Sequence, residues 1–157
     1  IRHYGRRSAW RHIQKGNSVK IVINIQHGGF GLSDAGVKAY ALKKGIALYP
    51  ENTRFGFTIY WTKPDGERGG ILSGDEFYNA TMDERQASNK AYDEATLSPR
   101  EIPRYDPDLV SVIEDMGNEA DGAHATLKVV EIPDGVQWEI EEYHGLEWVA
   151  EVHQTWS

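Results

Sequence analysis

Apolar and polar residues alternate most regularly at the end of the chain. In "VQWEIEEYHGLEWVAEVHQTW", residues 136–156, Val136, Trp138 and Ile140 alternate with Gln137, Glu139 and Glu141. Leu146, Trp148, Ala150 and Val152 alternate with Glu147, Val149, Glu151 and His153. A period of two with one apolar face predicts an antiparallel hairpin. A two-residue loop, His144-Gly145, sets Trp138 against Glu151 and Glu141 against Trp148. A three-residue loop, Tyr143 to Gly145, sets Ile140 against Trp148 and Trp138 against Ala150. One slip inverts every side chain, so the pattern favours the three-residue loop. That register gathers Glu139, Glu141, Glu147 and Glu151 on one outer face, which reads as solvated surface or, alternatively, as a contact for a basic partner or a weak divalent-cation patch.

Elsewhere the period changes. "VKIVINI" (19–25) is a β-branched run suited to a buried strand. "INIQHGGFGLSD" (23–34) follows as a glycine corner, with Ser33 as N-cap of a helix whose Val37, Tyr40 and Ala41 share a face; Lys43 and Lys44 fill its last turn and Gly45 ends it. "IALYP" reads as a short strand ended by Pro50, and "FGFTIYWTK" (55–63) as another, stopped by the Pro-Asp-Gly turn at 64–66. Strand, helix and strand in that order are compatible with a βαβ unit. Residues 64–105 are polar and weakly periodic, with "MDERQASNKAYDEA" (82–95) as a solvated helix inside a partly mobile segment. Asp106 caps and Pro107 opens a helix with Leu109, Val112, Ile113 and Met116 at helical spacing, ended by Gly117. "ATLKVVEIP" (125–133) is the next strand. The expected fold is α+β: one domain over 19–157, a mixed or antiparallel twisted sheet, two main helices packed on one face, and the C-terminal hairpin.

Composition supports a globular chain of 157 residues, 39% apolar and 26% charged, with no cysteine. Disulfides, thiolate metal sites and cysteine nucleophiles are thereby excluded. No apolar run is long enough to span a membrane and none resembles a secretory segment, so a cytoplasmic location is expected. Residues 1–18 hold five of the 17 basic residues and none of the 24 acidic ones. They read as a basic leader foreign to the domain. The acidic remainder argues against nucleic acid as a partner.

The candidate chemistry is sparse. "GGFG" before a helix offers backbone amides to an anion, but it matches neither phosphate-binding fingerprint, no lysine follows, and Asp34 opposes an anion. The candidate ligand- or partner-binding residues are Asn24, His27, Gly28, Gly29, Phe30, Gly31, Ser33 and Arg104. Phe30 is the one residue the corner does not require. Arg104 either binds an anion or pairs with Asp106. The six histidines form no ligand pair of metal spacing, and no catalytic residues, metal or cofactor are expected.

"KIVINIQHGGFGLSDAGVKAY", "IPRYDPDLVSVIEDMG" and "VVEIPDGVQWEIEEYHGLEWVAEVHQTW" resemble a small family of hypothetical proteins carried by phages and other mobile elements, including integron gene cassettes. The resemblance covers residues 19–49 and 102–156. It implies a mobile-element origin, a domain that begins at Val19, and Asp as the commoner residue at position 144; it implies no activity. Three functions follow as expectations: a non-enzymatic binding or adaptor protein contacting a host protein, a small-ligand (nucleotide or other anion) binder built on Gly28–Ser33, or a homo-oligomeric module.

Overall fold

β-Branched residues on both faces of one strand require covering layers on both sides, and the fold supplies them. A computed structural model describes residues 17–152 and Trp156; residues 1–16 of the basic leader, with His3 and His12, and His153 lie outside the described residues. The chain divides into two compact units, one running to Lys44 and resuming at Pro99, the other Gly45–Ser98.

In the first unit, β1 (Ser18–Asn24) pairs antiparallel with β4 (Leu127–Pro133), from Ser18 opposite Pro133 to Asn24 opposite Leu127. The strand starts one residue before Val19, and the Asn17 carbonyl accepts from the Asp134 amide. On one face of β1, Val19, Ile21 and Ile23 form a core with Trp138 and Ile140 of β5 (Trp138–Tyr143), flanked by Val149 of β6 (Leu146–Glu151). On the other lies α4 (Pro107–Met116), whose Leu109, Val110, Val112 and Ile113 are buried. Asp106 caps α4 through the Asp108 amide at 2.8 Å, Pro107 stands in its first turn, and Gly117 ends it at φ 58°. Packed against α4, α1 (Asp34–Lys44) buries Val37, Tyr40 and Ala41, as its periodicity predicts. Each such fully buried aliphatic side chain contributes about 1.5–3 kcal/mol over its exposed state.

In the second unit, β2 (Tyr49–Asn52) and β3 (Thr58–Trp61) form a hairpin, so this strand pairs with its successor and no βαβ unit forms. Pro50 lies inside β2 opposite Tyr60 rather than ending it; a two-stranded ribbon has an outer edge where the missing N–H costs nothing. Two helices follow, α2 (Gly74–Asn79) and α3 (Met82–Ala95). Ser73 and Glu76 form a capping box on α2, and the Thr81 hydroxyl accepts from the Glu84 amide at 3.2 Å to start α3. The core here is small. Trp61 is buried with its ring edge-on to Tyr92 at 5.5 Å, and the Arg68 guanidinium lies 4.1 Å above it.

The α+β class is as expected, and among the described residues every strand pair is antiparallel. Among the described residues the strands form three two-stranded ribbons, and of the two helices it is α4 that packs on β1 and β4. No helix among the described residues is long and apolar enough to cross a membrane.

Candidate functional site

The hairpin takes the register that the alternation disfavoured. Tyr143 pairs with Leu146, Trp138 with Glu151 and Glu141 with Trp148 across a two-residue loop. His144 at φ 48° and Gly145 at φ 87° are both left-handed, the conformation of a twist-matched two-residue turn. A buried charge causes the inversion. Glu147 points inward, 5% exposed, and meets Arg104, 4% exposed, in a two-pronged ion pair at 2.7 and 3.0 Å. Trp148 is turned outward, its indole N–H donating to Glu141 at 3.0 Å. The expected acidic face of Glu139, Glu141, Glu147 and Glu151 therefore does not exist. Glu139 and Glu141 share one face, Glu147 and Glu151 the other, and Glu147 is buried.

Around this pair the polar groups are mutually satisfied. Glu147 Oε1 also accepts from the Asn24 amide at 2.8 Å, and Arg104 donates to the Val22 carbonyl at 3.3 Å. The Asn24 side chain, fully buried, donates to the carbonyls of Gln26 and Gly145 and accepts from the amides of Gln26 and Thr126. It ties the end of β1 to the hairpin tip. Phe30 is buried with the Arg104 guanidinium 3.5 Å above its ring, so a π face covers the cation from the side the carboxylate leaves open.

The glycines of the corner make room for backbone. A Cβ on Gly28 would come within 2.8 Å of the His124 backbone and side chain, and one on Gly145 would overlap the Gly29 nitrogen. The Gly28 amide donates to the His144 carbonyl at 3.1 Å, and the Gly122 amide to the Gly31 carbonyl at 2.9 Å. Ser33 is wholly structural: its hydroxyl accepts from Gly36 and donates to the Glu119 carbonyl, and its amide donates to Ala120. Among the described residues, the amides of Gly29, Phe30 and Gly31 have no hydrogen-bond partner.

Above the ion pair opens a cleft of about 380 Å³, bounded by Gly28, Gly29, Phe30 and Arg104 and by Arg100, Glu142, His144, Gly145 and Glu147. Of the residues nominated from sequence, Gly28, Gly29, Phe30 and Arg104 line it and Asn24 contacts Glu147 and Gly145 in its wall. His27, which is exposed, Gly31 and Ser33 stand outside it. Sequence reasoning did not nominate Arg100, Glu142, His144 or Gly145, and it placed Glu147 on an outer face rather than in this wall. The available signal was the apolar-against-charged mismatch of the two-residue loop, which marks a buried acid needing a cation.

Arg104 does not pair with Asp106. That carboxylate instead accepts from the Tyr40 hydroxyl at 2.9 Å and from Lys44 at 3.0 Å, and Lys44 also reaches Asp108. Burial, and then the hydrogen bond to Asp106, push the Tyr40 phenol up to about 12. Hydrogen bonds to Asp106 and Asp108 raise the Lys44 ammonium. Burial alone would raise the Asp106 carboxyl, but the donors from Lys44, the Asp108 amide and Tyr40 outweigh it and hold it below its ordinary value. A phenol kept protonated and a carboxylate kept charged are a clamp between α1 and α4, not an acid–base pair poised near neutrality.

Comparison with protein families, with curated proteins and with solved structures finds no match to this chain.

Proposed function

We propose that this protein is a binding protein whose ligand is a small polar molecule held in the cleft above Arg104 and Glu147. The observation that carries this reading is convergence. Gly29 and Phe30, whose amides have no hydrogen-bond partner among the described residues, line one cavity of ligand size together with Arg100 and Glu142, on a base immobilised by a buried ion pair. A site of this kind needs placed polar groups on rigid backbone, and the Asn24 network supplies the rigidity. The lining offers donors and acceptors, so binding is the chemistry it favours. A mobile-element origin belongs to the same proposal as its background and adds no activity to it. The test is an amide-resolved NMR titration of the full chain with a library of small polar compounds. Shifts concentrated at Gly28–Phe30 and Gly145 are expected; a library that moves none of them at millimolar concentration would overturn the reading.

A second reading rests on a separate observation in the unit Gly45–Ser98. The tip of the β2–β3 hairpin exposes Phe55 (73%) and Phe57 (56%), rings stacked at 6.5 Å and 12°, with Arg54 4.9 Å above Phe55. Paired aromatics left in water favour association with another surface, here a second copy of the chain.

A further inference from the structure

Four charged side chains line the cleft, and they divide into two kinds. Arg104 and Glu147 neutralise each other. Arg100 and Glu142 do not: among the described residues neither has an ion-pair partner, so they form none with each other. One cation and one anion thus stand apart on the walls of a single cavity. Arg100 sits on a 3-10 turn, Pro99–Glu101, followed by buried Ile102. Glu142 is held by accepting from the Gly145 amide at 3.2 Å, which occupies one side of its carboxylate.

We infer that the ligand of this cleft is a small zwitterion of the α-amino acid class. This rests on the cleft being a ligand site, as proposed above, and adds the charge pattern of what fills it. The ligand carboxylate accepts from the Arg100 guanidinium and from the amides of Gly29 and Phe30. The ligand ammonium donates to Glu142. A guanidinium and a carboxylate presented separately match the two ends of such a molecule, whose own charges are fixed a few bonds apart. A nucleotide fits less well. Its phosphates would bring several negative charges to a cleft with one uncommitted cation and two carboxylates, Glu142 and Glu147, in its walls. A simple anion leaves Glu142 uncompensated, and a simple amine leaves Arg100 so. The cavity of about 380 Å³ has room for the backbone atoms of an amino acid together with a side chain.

The experiment titrates the whole 157-residue chain with each of the twenty standard α-amino acids. Propionate, ethylamine, inorganic phosphate and adenosine monophosphate serve as comparison probes, and the backbone amides are followed by NMR. At least one amino acid is expected to shift Gly29 and Phe30. Its N-acetylated and its amidated forms, each lacking one charge, should bind at least about tenfold more weakly, the loss expected for one charge-assisted hydrogen bond. Arg100→Gln and Glu142→Gln, both outside the buried pair, should each weaken it by a similar factor while leaving the thermal midpoint unchanged. Binding that is indifferent to these two substitutions, or to blocking of either charge, overturns the inference. Shifts at Gly29 and Phe30 with phosphate or adenosine monophosphate but with no amino acid overturn the ligand class and leave the cleft as a site. No shift there with any probe overturns both.

Discussion

Arg104 and Glu147, 43 residues apart in the chain, meet as a buried two-pronged ion pair, and that contact sets which face of the C-terminal hairpin points inward. The Arg104 guanidinium lies over the Phe30 ring and Glu147 accepts from the Asn24 amide, so three segments distant in sequence meet at this pair.

Removing one member leaves the other charged and buried. Glu147→Ala and Arg104→Ala should each destabilise the fold by about 3–5 kcal/mol. A double replacement by apolar residues of similar volume, Arg104→Met with Glu147→Leu, should cost much less than the sum. A double-mutant cycle by denaturant unfolding measures this, and additive losses would contradict the pairing.

The turn supplies a second expectation. His144 holds φ 48°, which Asn adopts more readily, so His144→Asn should be neutral or raise the thermal midpoint slightly. Gly145→Ala meets the Gly29 backbone as well as an unfavourable φ, and should cost about 1–3 kcal/mol or more. Equal effects of the two substitutions would argue for the longer loop.

Acid should loosen the α1–α4 clamp. Asp106 is held below its ordinary value, so its contribution is complete above the unfolded value of 3.8 and is lost as pH falls through the lower folded value. Asp106→Asn keeps a capping side chain and removes the charge facing Lys44 and Tyr40. Its stability should therefore fall less than that of the wild type between about pH 5 and pH 2. At the alkaline end Tyr40 is raised from 10.0 to about 12, so its contribution, whole below pH 10, is lost as pH rises through that higher value. Tyr40→Phe should remove that part of the alkaline decline. Urea midpoints measured across pH test both limbs.

The two units predict opposite sensitivities. Leu109→Ala, in the buried stripe of α4, should cost about 2–5 kcal/mol. Replacing Phe55 and Phe57 together by Ser should stay within about 0.5 kcal/mol, because both rings already face water. Light scattering on the same double variant checks the second functional reading. A wild-type protein that self-associates should yield a variant that does not.

Several elements were legible because their signals are local. Asp106, Pro107 and Gly117 bracket α4 by cap chemistry, and the spacing of Leu109, Val112 and Ile113 names its buried face. Helix α3 spans Met82–Ala95, the same residues that its acidic start and alanine face suggested. The caps at Ser73 with Glu76 and at Thr81 with Glu84, and helix α2 itself, went unread in the polar middle, where no apolar periodicity marks them.

The hairpin shows where local reasoning stops. Alternation states that two faces differ, and by itself it assigned Leu146, Trp148 and Ala150 to the core. The structure places Glu147 and Val149 there, because a cation from beyond the hairpin makes a buried carboxylate acceptable. The glycine corner is similar. Its sequence determined a strand-to-helix turn capped by Ser33, and composition left room for a ligand. Only tertiary packing decided that Gly28 and Gly29 lie against the hairpin tip and that Phe30 covers Arg104. Helices, caps and turns depend on neighbours a few residues away, so the sequence determined them. The register, the buried ion pair and the cleft depend on charges brought together from distant segments, and only the folded chain could bring them to one place.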